Sequence, residues 1–149
     1  MSLNATLDHI QTTLEAQLSA FSAATWGKAA AVRRVFKHRV EVPLADLPII
    51  MMTLPSVEGR TWRPAERDYR PTIRLYCGFH QTDPEAAQTQ LVLFDEAIED
   101  ALLSLKEANN LPPGTEDIDP KNSVTDEGYF HPVYFFIKDI EIDIIRTLT

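Results

Sequence analysis

An alternating strand followed at once by an amphipathic helix constrains the fold of this chain more than any other feature. Every second residue from 73 to 79 is apolar: Ile73, Leu75, Cys77 and Phe79. The residues between them are polar or small, apart from Tyr76. A period of two predicts a strand with one buried face and one solvated face, which is typical of an antiparallel sheet.

The helix that follows has a start signal and an apolar stripe. Asp83 is predicted to cap it, Pro84 takes the first helical position and Glu85 lies in the first turn. Apolar residues then recur every three or four positions: Ala87, Leu91, Phe94, Ile98, Leu102 and Leu105. This spacing predicts one buried stripe that faces the strand, in a helix that ends near Ala108.

The first 55 residues predict a helix and two strands. Asn4 is the expected cap of a helix over 5–22, whose stripe comprises Leu7, Ile10, Leu14, Leu18 and Phe21. Residues 32–42 predict a strand that Pro43 ends, and 47–55 predict a short apolar strand bounded by prolines. A polar loop is expected over 56–67.

The last third of the chain predicts a long loop and a terminal strand. Residues 109–128 hold three prolines, two glycines and five acidic residues against one lysine. We expect a long irregular acidic loop there, which is commonly functional or disordered, and expect proteases to cut it. Residues 133–137 are apolar on both faces, and alternation then begins, so we expect a bulge, a kink or a turn near Lys138.

These elements follow the order α-β-β-β-α-β over one domain, residues 1–149. The order predicts an α+β fold with two main helices packed on a mainly antiparallel sheet of about four strands. No apolar run approaches the ~18 residues that a membrane-spanning helix needs. The N-terminal residues show no basic region followed by an apolar block, so we expect no signal peptide. With a single cysteine, no internal disulfide is possible.

Charge is divided unevenly along the chain. The net charge is −8, which argues against nucleic acid as the main partner. Residues 1–80 carry 10 basic and 7 acidic residues, whereas residues 81–149 carry 4 basic and 15 acidic residues. The first part is therefore basic and the second strongly acidic.

No motif of a catalytic, cofactor or metal site is evident, and we assign no residue to one. Cys77 and His80 have the spacing of a zinc-ligand pair, but there is no second close pair, and we interpret Cys77 as a buried structural cysteine. Residues 117–128 begin like a calcium loop but place lysine, asparagine and glycine where ligands or the turn glycine are required. Four carboxylates of the second helix are interpreted as a solvent-exposed face: Asp95, Glu96, Glu99 and Asp100.

An arginine- and aromatic-rich segment over 60–76 is the candidate interface. Its arginines recur at helical spacing, but Pro64 and Pro71 exclude a helix. Arginine and aromatic residues are enriched in protein interfaces. The candidate interface residues are Arg60, Trp62, Arg63, Arg67, Arg70, Arg74 and Tyr76.

The layout of the whole chain resembles the tail-terminator and minor tail proteins that join head to tail in long-tailed phages. The resemblance lies in the early helix, LPIIMMTLP, RPTIRLYCGF, the acidic helix DPEAAQTQLVLFDEAIEDALLSL and the final strand IKDIEIDII. It implies a non-enzymatic virion protein, made in the host cytoplasm, that forms a ring of itself, usually of six subunits, at the tail or neck. It also implies tail-tube and head-completion proteins as partners. A head-to-tail ring joins two different surfaces, which suits a chain with separate basic and acidic regions.

Two other functions remain open at this point. The chain could be a small enzyme or ligand-binding domain that uses residues 60–74 for an anionic substrate. It could also be a monomeric adaptor that binds one partner. A pocket with converging polar groups would favour the first, and a stable monomer would favour the second.

Overall fold

The computed structural model describes residues 3–37, 42–63, 66–107, 111 and 114–147, without the side chains of 58–67 and 146–147. Two α-helices and five strands form in this part of the chain, together with a short 3-10 helix at Leu44–Asp46. Their order is α1 (Leu3–Trp26), β1 (Ala31–Arg34), β2 (Ile49–Arg63), β3 (Glu66–His80), α2 (Pro84–Glu107), β4 (Thr115–Thr125) and β5 (Val133–Thr147). No helix in it is long and apolar enough to span a membrane.

The strands form one sheet in the order β1-β2-β3-β5-β4. Only β1 and β2 pair in parallel, and every other neighbouring pair is antiparallel. This confirms the predicted α+β fold, with five strands in place of about four. The two terminal strands of the sheet, β1 and β4, lie at its opposite edges.

The main core lies between the two helices and one face of the sheet. Four alternating residues of β3 are fully buried there: Ile73, Leu75, Cys77 and Phe79. They share the core with the stripes of both helices, including Ile10, Leu14, Phe94 and Ile98. The predicted facing of strand and helices is therefore confirmed.

The predicted helix caps have different outcomes. Asp83 caps α2 as predicted, since its Oδ1 accepts a hydrogen bond from the Glu85 backbone N–H at 3.1 Å. The prediction for Asn4 is wrong, because α1 already includes Leu3 and Asn4 lies inside the first turn. The Asn4 side chain instead accepts a hydrogen bond from Arg34 Nη2 at 2.8 Å, which links α1 to β1.

The prediction of a long irregular loop over 109–128 is wrong for most of its length. Residues 115–125 form β4, which pairs with the outer edge of β5. Ile118 provides the apolar residue that anchors β4, since it is fully buried opposite Ile142. Pro120 was one reason for predicting a loop. An edge strand nevertheless tolerates proline, because one side of its backbone needs no strand partner. Residues 108–110, 112 and 113 lie outside the described part.

The predicted polar loop over 56–67 is also wrong. Residues 56–63 continue β2, and β3 begins at Glu66, so most of this segment is a long antiparallel pair of strands. Pro55 does not end β2, because it falls in an irregularity of the β2–β3 pairing between Thr53 and Ser56. The predicted strand over 32–42 is shortened to β1, and its residues 38–41 lie outside the described part.

The irregularity expected near Lys138 lies in the neighbouring strand. β5 keeps one register with β3 along its whole length. The shift occurs in the β4–β5 pairing, between Pro120 and Ser123. The side chain of Lys138 lies on the helix-covered face and is only 1% exposed.

Candidate protein interface

The sheet face opposite the helices carries the predicted interface residues that the structure describes. We call it the open face. Arg70, Arg74 and Tyr76 lie on it because they alternate with the buried residues Ile73 and Leu75 of β3. The other four candidates belong to the same two strands, but their side chains are not described: Arg60, Trp62 and Arg63 in β2, and Arg67 in β3.

Arg74 and Arg70 form ion pairs with the acidic residues of β5. Arg74 lies directly opposite Asp139 and donates to it from Nε at 2.8 Å and from Nη2 at 3.2 Å. Arg70 Nε donates to Asp143 Oδ1 at 2.9 Å. Hydrogen bonds to Asp139 and then Tyr76 raise the pKa of Arg74 despite its partial burial. Both guanidinium groups therefore have carboxylate partners within their own chain.

This pairing changes what Arg70 and Arg74 can do. The sequence makes them candidate interface residues, and their contact with a second copy stays a prediction. Reversing both arginines to glutamate would bring like charges together across β3 and β5, and would therefore perturb the fold as well as any interface. The signal in the sequence was the alternation of Asp139, Glu141 and Asp143, which places three carboxylates on the solvated face of the last strand.

An exposed apolar patch surrounds the turn between β4 and β5. Val124, Tyr129 and Phe130 are 66%, 83% and 37% exposed, and we call these three residues the aromatic patch. The rings of Tyr129 and Phe130 meet edge to face with centroids 4.9 Å apart. A cavity of about 140 Å³ lies at the base of the patch, lined in part by Tyr76 and Ile137.

The aromatic patch was not predicted from the sequence, because the residues that lead into it, 109–128, were expected to form an irregular loop. Tyr129 and Phe130 follow the predicted loop in a turn that β4 and β5 position. Val124 reaches the open face only because residues 115–125 form a strand. Of the predicted candidates, Tyr76 is the residue that the structure brings to this patch.

A lysine with two carboxylates joins α2 to β5 on the other face of the sheet. Lys138 Nζ lies 2.9 Å from Asp95 Oδ1 and 2.8 Å from Glu99 Oε1. Burial lowers the pKa of Lys138, but the hydrogen bonds to Glu99 and Asp95 outweigh it, so its pKa lies above the usual value. The interpretation of this helix face as solvent-exposed holds for Glu96 and Asp100 but only in part for Asp95 and Glu99, because a lysine in the adjoining strand pairs with both.

The Cys77 and His80 side chains do not converge. Cys77 lies on the core face of β3, whereas His80 falls on the other face by strand alternation. Burial raises the pKa of the Cys77 thiol well above its ordinary value. Among the residues described, no group of three or more histidine, cysteine, aspartate or glutamate side chains is placed to hold a metal ion.

Comparison with known proteins adds no family assignment. No protein-family model matches the chain, and no curated protein matches it significantly.

Proposed function

We propose that this protein is a non-enzymatic structural protein of a phage tail that self-associates into a ring and resembles tail terminators. The observation that carries the proposal is the aromatic patch. An exposed apolar surface indicates a contact site when its residues form one contiguous patch. Tyrosine and phenylalanine are also enriched in protein interfaces. Val124, Tyr129 and Phe130 meet both conditions, and Val124 lies opposite Ile137 on the open face, away from the two α-helices.

Charge supports a contact between unlike surfaces. Arg33 and Lys37, near β1, are exposed and have no ion-pair partner within the described residues. Asp126 and Glu127 lie in the turn at the opposite edge of the sheet. A copy that presents its β1 end to the turn of the next copy would build a head-to-tail ring, because one patch meets a different patch.

In this proposal, the ring forms in the host cytoplasm and becomes part of the virion at the tail or neck. Its partners are further copies of itself, the tail tube and head-completion proteins. The alternative of an anionic substrate at residues 60–74 has less support, since Arg70 and Arg74, the arginines of this segment whose side chains are described, already pair with Asp143 and Asp139. The adaptor alternative predicts a monomer and is decided by the same experiment.

Sedimentation velocity and negative-stain electron microscopy test the proposal. The wild-type protein is expected to form closed rings, and the variant Val124→Asp/Tyr129→Asp is expected to remain small. Leu103→Asp is the matched control, because Leu103 is an exposed apolar residue on α2, away from the aromatic patch. Rings of normal size from the double variant would remove the aromatic patch from the interface.

Phage assembly provides the functional readout. A phage that carries Val124→Asp/Tyr129→Asp is expected to produce tails of abnormal length or tails that fail to join heads. Normal virions from this variant, together with normal rings, would contradict the proposed role of the patch. A substrate turned over by the purified protein in a reaction that needs Arg70 or Arg74 would instead support the enzymatic alternative.

A further inference from the structure

The aromatic side chain of Phe36 is exposed to solvent. It follows β1 and is fully exposed, at 104% of its reference area. Arg33 and Lys37 on either side of it are also exposed, and neither forms an ion pair within the part of the chain described. We call residues 33–37 the Phe36 segment. A large exposed apolar side chain between two exposed cations is typical of the residues that anchor a protein interface.

A groove of about 700 Å³ lies between the first half of α2 and the β4–β5 turn. We call it the α2 groove. Its apolar walls include Pro84, Leu91, Val92 and Tyr134. Asp126 and Glu127 lie on its turn side, so apolar walls are combined with negative charge.

Asp126 lines this groove, and one of its carboxylate oxygens lacks a hydrogen-bond donor among the described residues. Its Oδ1 accepts a hydrogen bond from the Gly128 backbone N–H at 3.0 Å. Its Oδ2 is buried and has no hydrogen-bond partner among the described residues. A buried carboxylate oxygen without a donor is costly, and a cation that docks nearby would offset part of that cost through its charge.

The Phe36 segment and the α2 groove lie at opposite corners of the molecule. Phe36 shares a cavity with Leu3 and Leu7, at the beginning of α1, beside the β1 edge of the sheet. The end of α1 lies against the first half of α2, where Trp26 Nε1 donates to Gln90 Oε1 at 3.0 Å. The α2 groove is therefore at the other end of α1 and near the β4 edge. The two surfaces cannot meet within one chain.

We infer that Phe36 of one copy docks in the α2 groove of the next copy, with Lys37 and Arg33 facing Asp126 and Glu127. The inference rests on the proposed self-association and adds a second contact to the one proposed for the aromatic patch. The aromatic ring would fill apolar space, and the charges would orient the approach. Because the two surfaces differ, each copy contacts one neighbour through its Phe36 segment and the other neighbour through its α2 groove. Copies therefore add in one direction and close into a ring.

Two variants that each block one half of the contact test this inference. Phe36→Ser removes the anchor, and Val92→Lys places a cation in the groove at a position that is 49% exposed. Both changes lie at exposed sites, and circular dichroism checks that each variant is folded. Each variant alone is expected to lose ring formation, with association weakened by at least about 30-fold for an anchor residue.

Mixing the two variants provides the decisive result. The Val92→Lys copy keeps its Phe36, and the Phe36→Ser copy keeps its groove, so a 1:1 mixture is expected to form a dimer that cannot grow. Native mass spectrometry reads out this heterodimer directly. A charge exchange adds a second readout, since Glu127→Lys should impair assembly and Lys37→Glu/Glu127→Lys should restore it.

The possible failures are distinguishable. Wild-type rings together with normal rings from Phe36→Ser would overturn this contact and leave the proposed ring intact. Two monomeric variants whose mixture stays monomeric would overturn the pairing of these two surfaces. A wild-type protein that never self-associates would overturn both the ring and the contact.

Discussion

The ring of Phe135 occupies the space that a side chain on Gly78 would take. The two residues lie directly opposite each other in β3 and β5. A Cβ atom on Gly78 would lie 2.6 Å from Phe135 Cε1 and 2.9 Å from Cδ1. Phe135 in turn meets Phe130 of the aromatic patch edge to face, with centroids 5.9 Å apart. Gly78 therefore sets the position of the ring that supports the patch.

Gly78→Ala is expected to destabilise the protein by about 1–3 kcal/mol, because overpacking forces the Phe135 ring to move. The same shift should disturb Phe130 and weaken ring assembly. Chemical denaturation measures the first effect and sedimentation velocity the second. An unchanged free energy of unfolding would show that Phe135 moves freely and that the close approach is unimportant.

Phe94→Ala is expected to destabilise the protein by about 3–5 kcal/mol, as for other large-to-small changes in a core. Phe94 is fully buried and its ring contacts those of Phe21, Trp26, Phe79 and Phe136. The neighbouring Leu93 is 45% exposed, so Leu93→Ala is the control and should cost less than about 1 kcal/mol. Equal melting temperatures for Phe94→Ala and the wild type would refute the packing.

Periodicity predicted the elements that form the core, and it failed at the edge strand β4 and at the extended ends of β2 and β3. The stripe that includes Phe94 and the alternation around Cys77 were both readable, because each element buries one face. β4 could not be predicted, because it forms by pairing with the free edge of β5 and because Pro120 interrupts the local alternation of apolar and polar residues. The aromatic patch was missed with it, since Val124 has a position on the open face only once β4 exists.

The ion pairs of Lys138 could not be predicted from the sequence, because they also depend on how separate elements pack. Lys138 reads as a solvated lysine at the boundary of an apolar run, and Asp95 and Glu99 read as a solvated helix face. Their pairing depends on how α2 crosses β5, which no local pattern records. By contrast, the pairing of Arg74 with Asp139 follows from simple register between two alternating strands.

Lys138→Met is expected to destabilise the protein by about 2 kcal/mol. This is less than the ~3–5 kcal/mol for a fully buried ion pair, because the side chains of Asp95 and Glu99 are 26% and 43% exposed and can regain water. The same substitution should cost less in an Asp95→Asn/Glu99→Gln background, and a double-mutant cycle by urea denaturation measures that difference. Equal costs in both backgrounds would show that the charges do not interact.

The raised pKa of Lys138 predicts that the protein loses stability at alkaline pH. Its pKa is raised in the folded protein above the ordinary 10.5, so the folded state holds this proton more tightly than the unfolded state. The stabilisation is present below the unfolded pKa and is lost as the pH rises through the folded pKa. The free energy of unfolding of the wild type relative to Lys138→Met should therefore decrease above about pH 10.5. A pH-independent difference would contradict the pairing.

Cys77 is expected to be unreactive in the native protein. Burial raises its pKa, so the reactive thiolate is scarce, and the side chain is inaccessible. A thiol reagent at pH 8 should label Cys77 only as fast as the protein opens, and rapidly in urea. Fast labelling without denaturant would place Cys77 outside the core and contradict the assignment of its strand face.

The mass of the purified wild-type protein in solution tests the central claim most directly. Sedimentation equilibrium over a range of concentrations, at low and high salt, gives this mass without reference to any variant. The account predicts a closed assembly with a mass that is a fixed multiple of 16.8 kDa and does not grow further as the concentration rises. A mass of 16.8 kDa at every concentration and salt condition would contradict the claim that the chain builds a ring of itself.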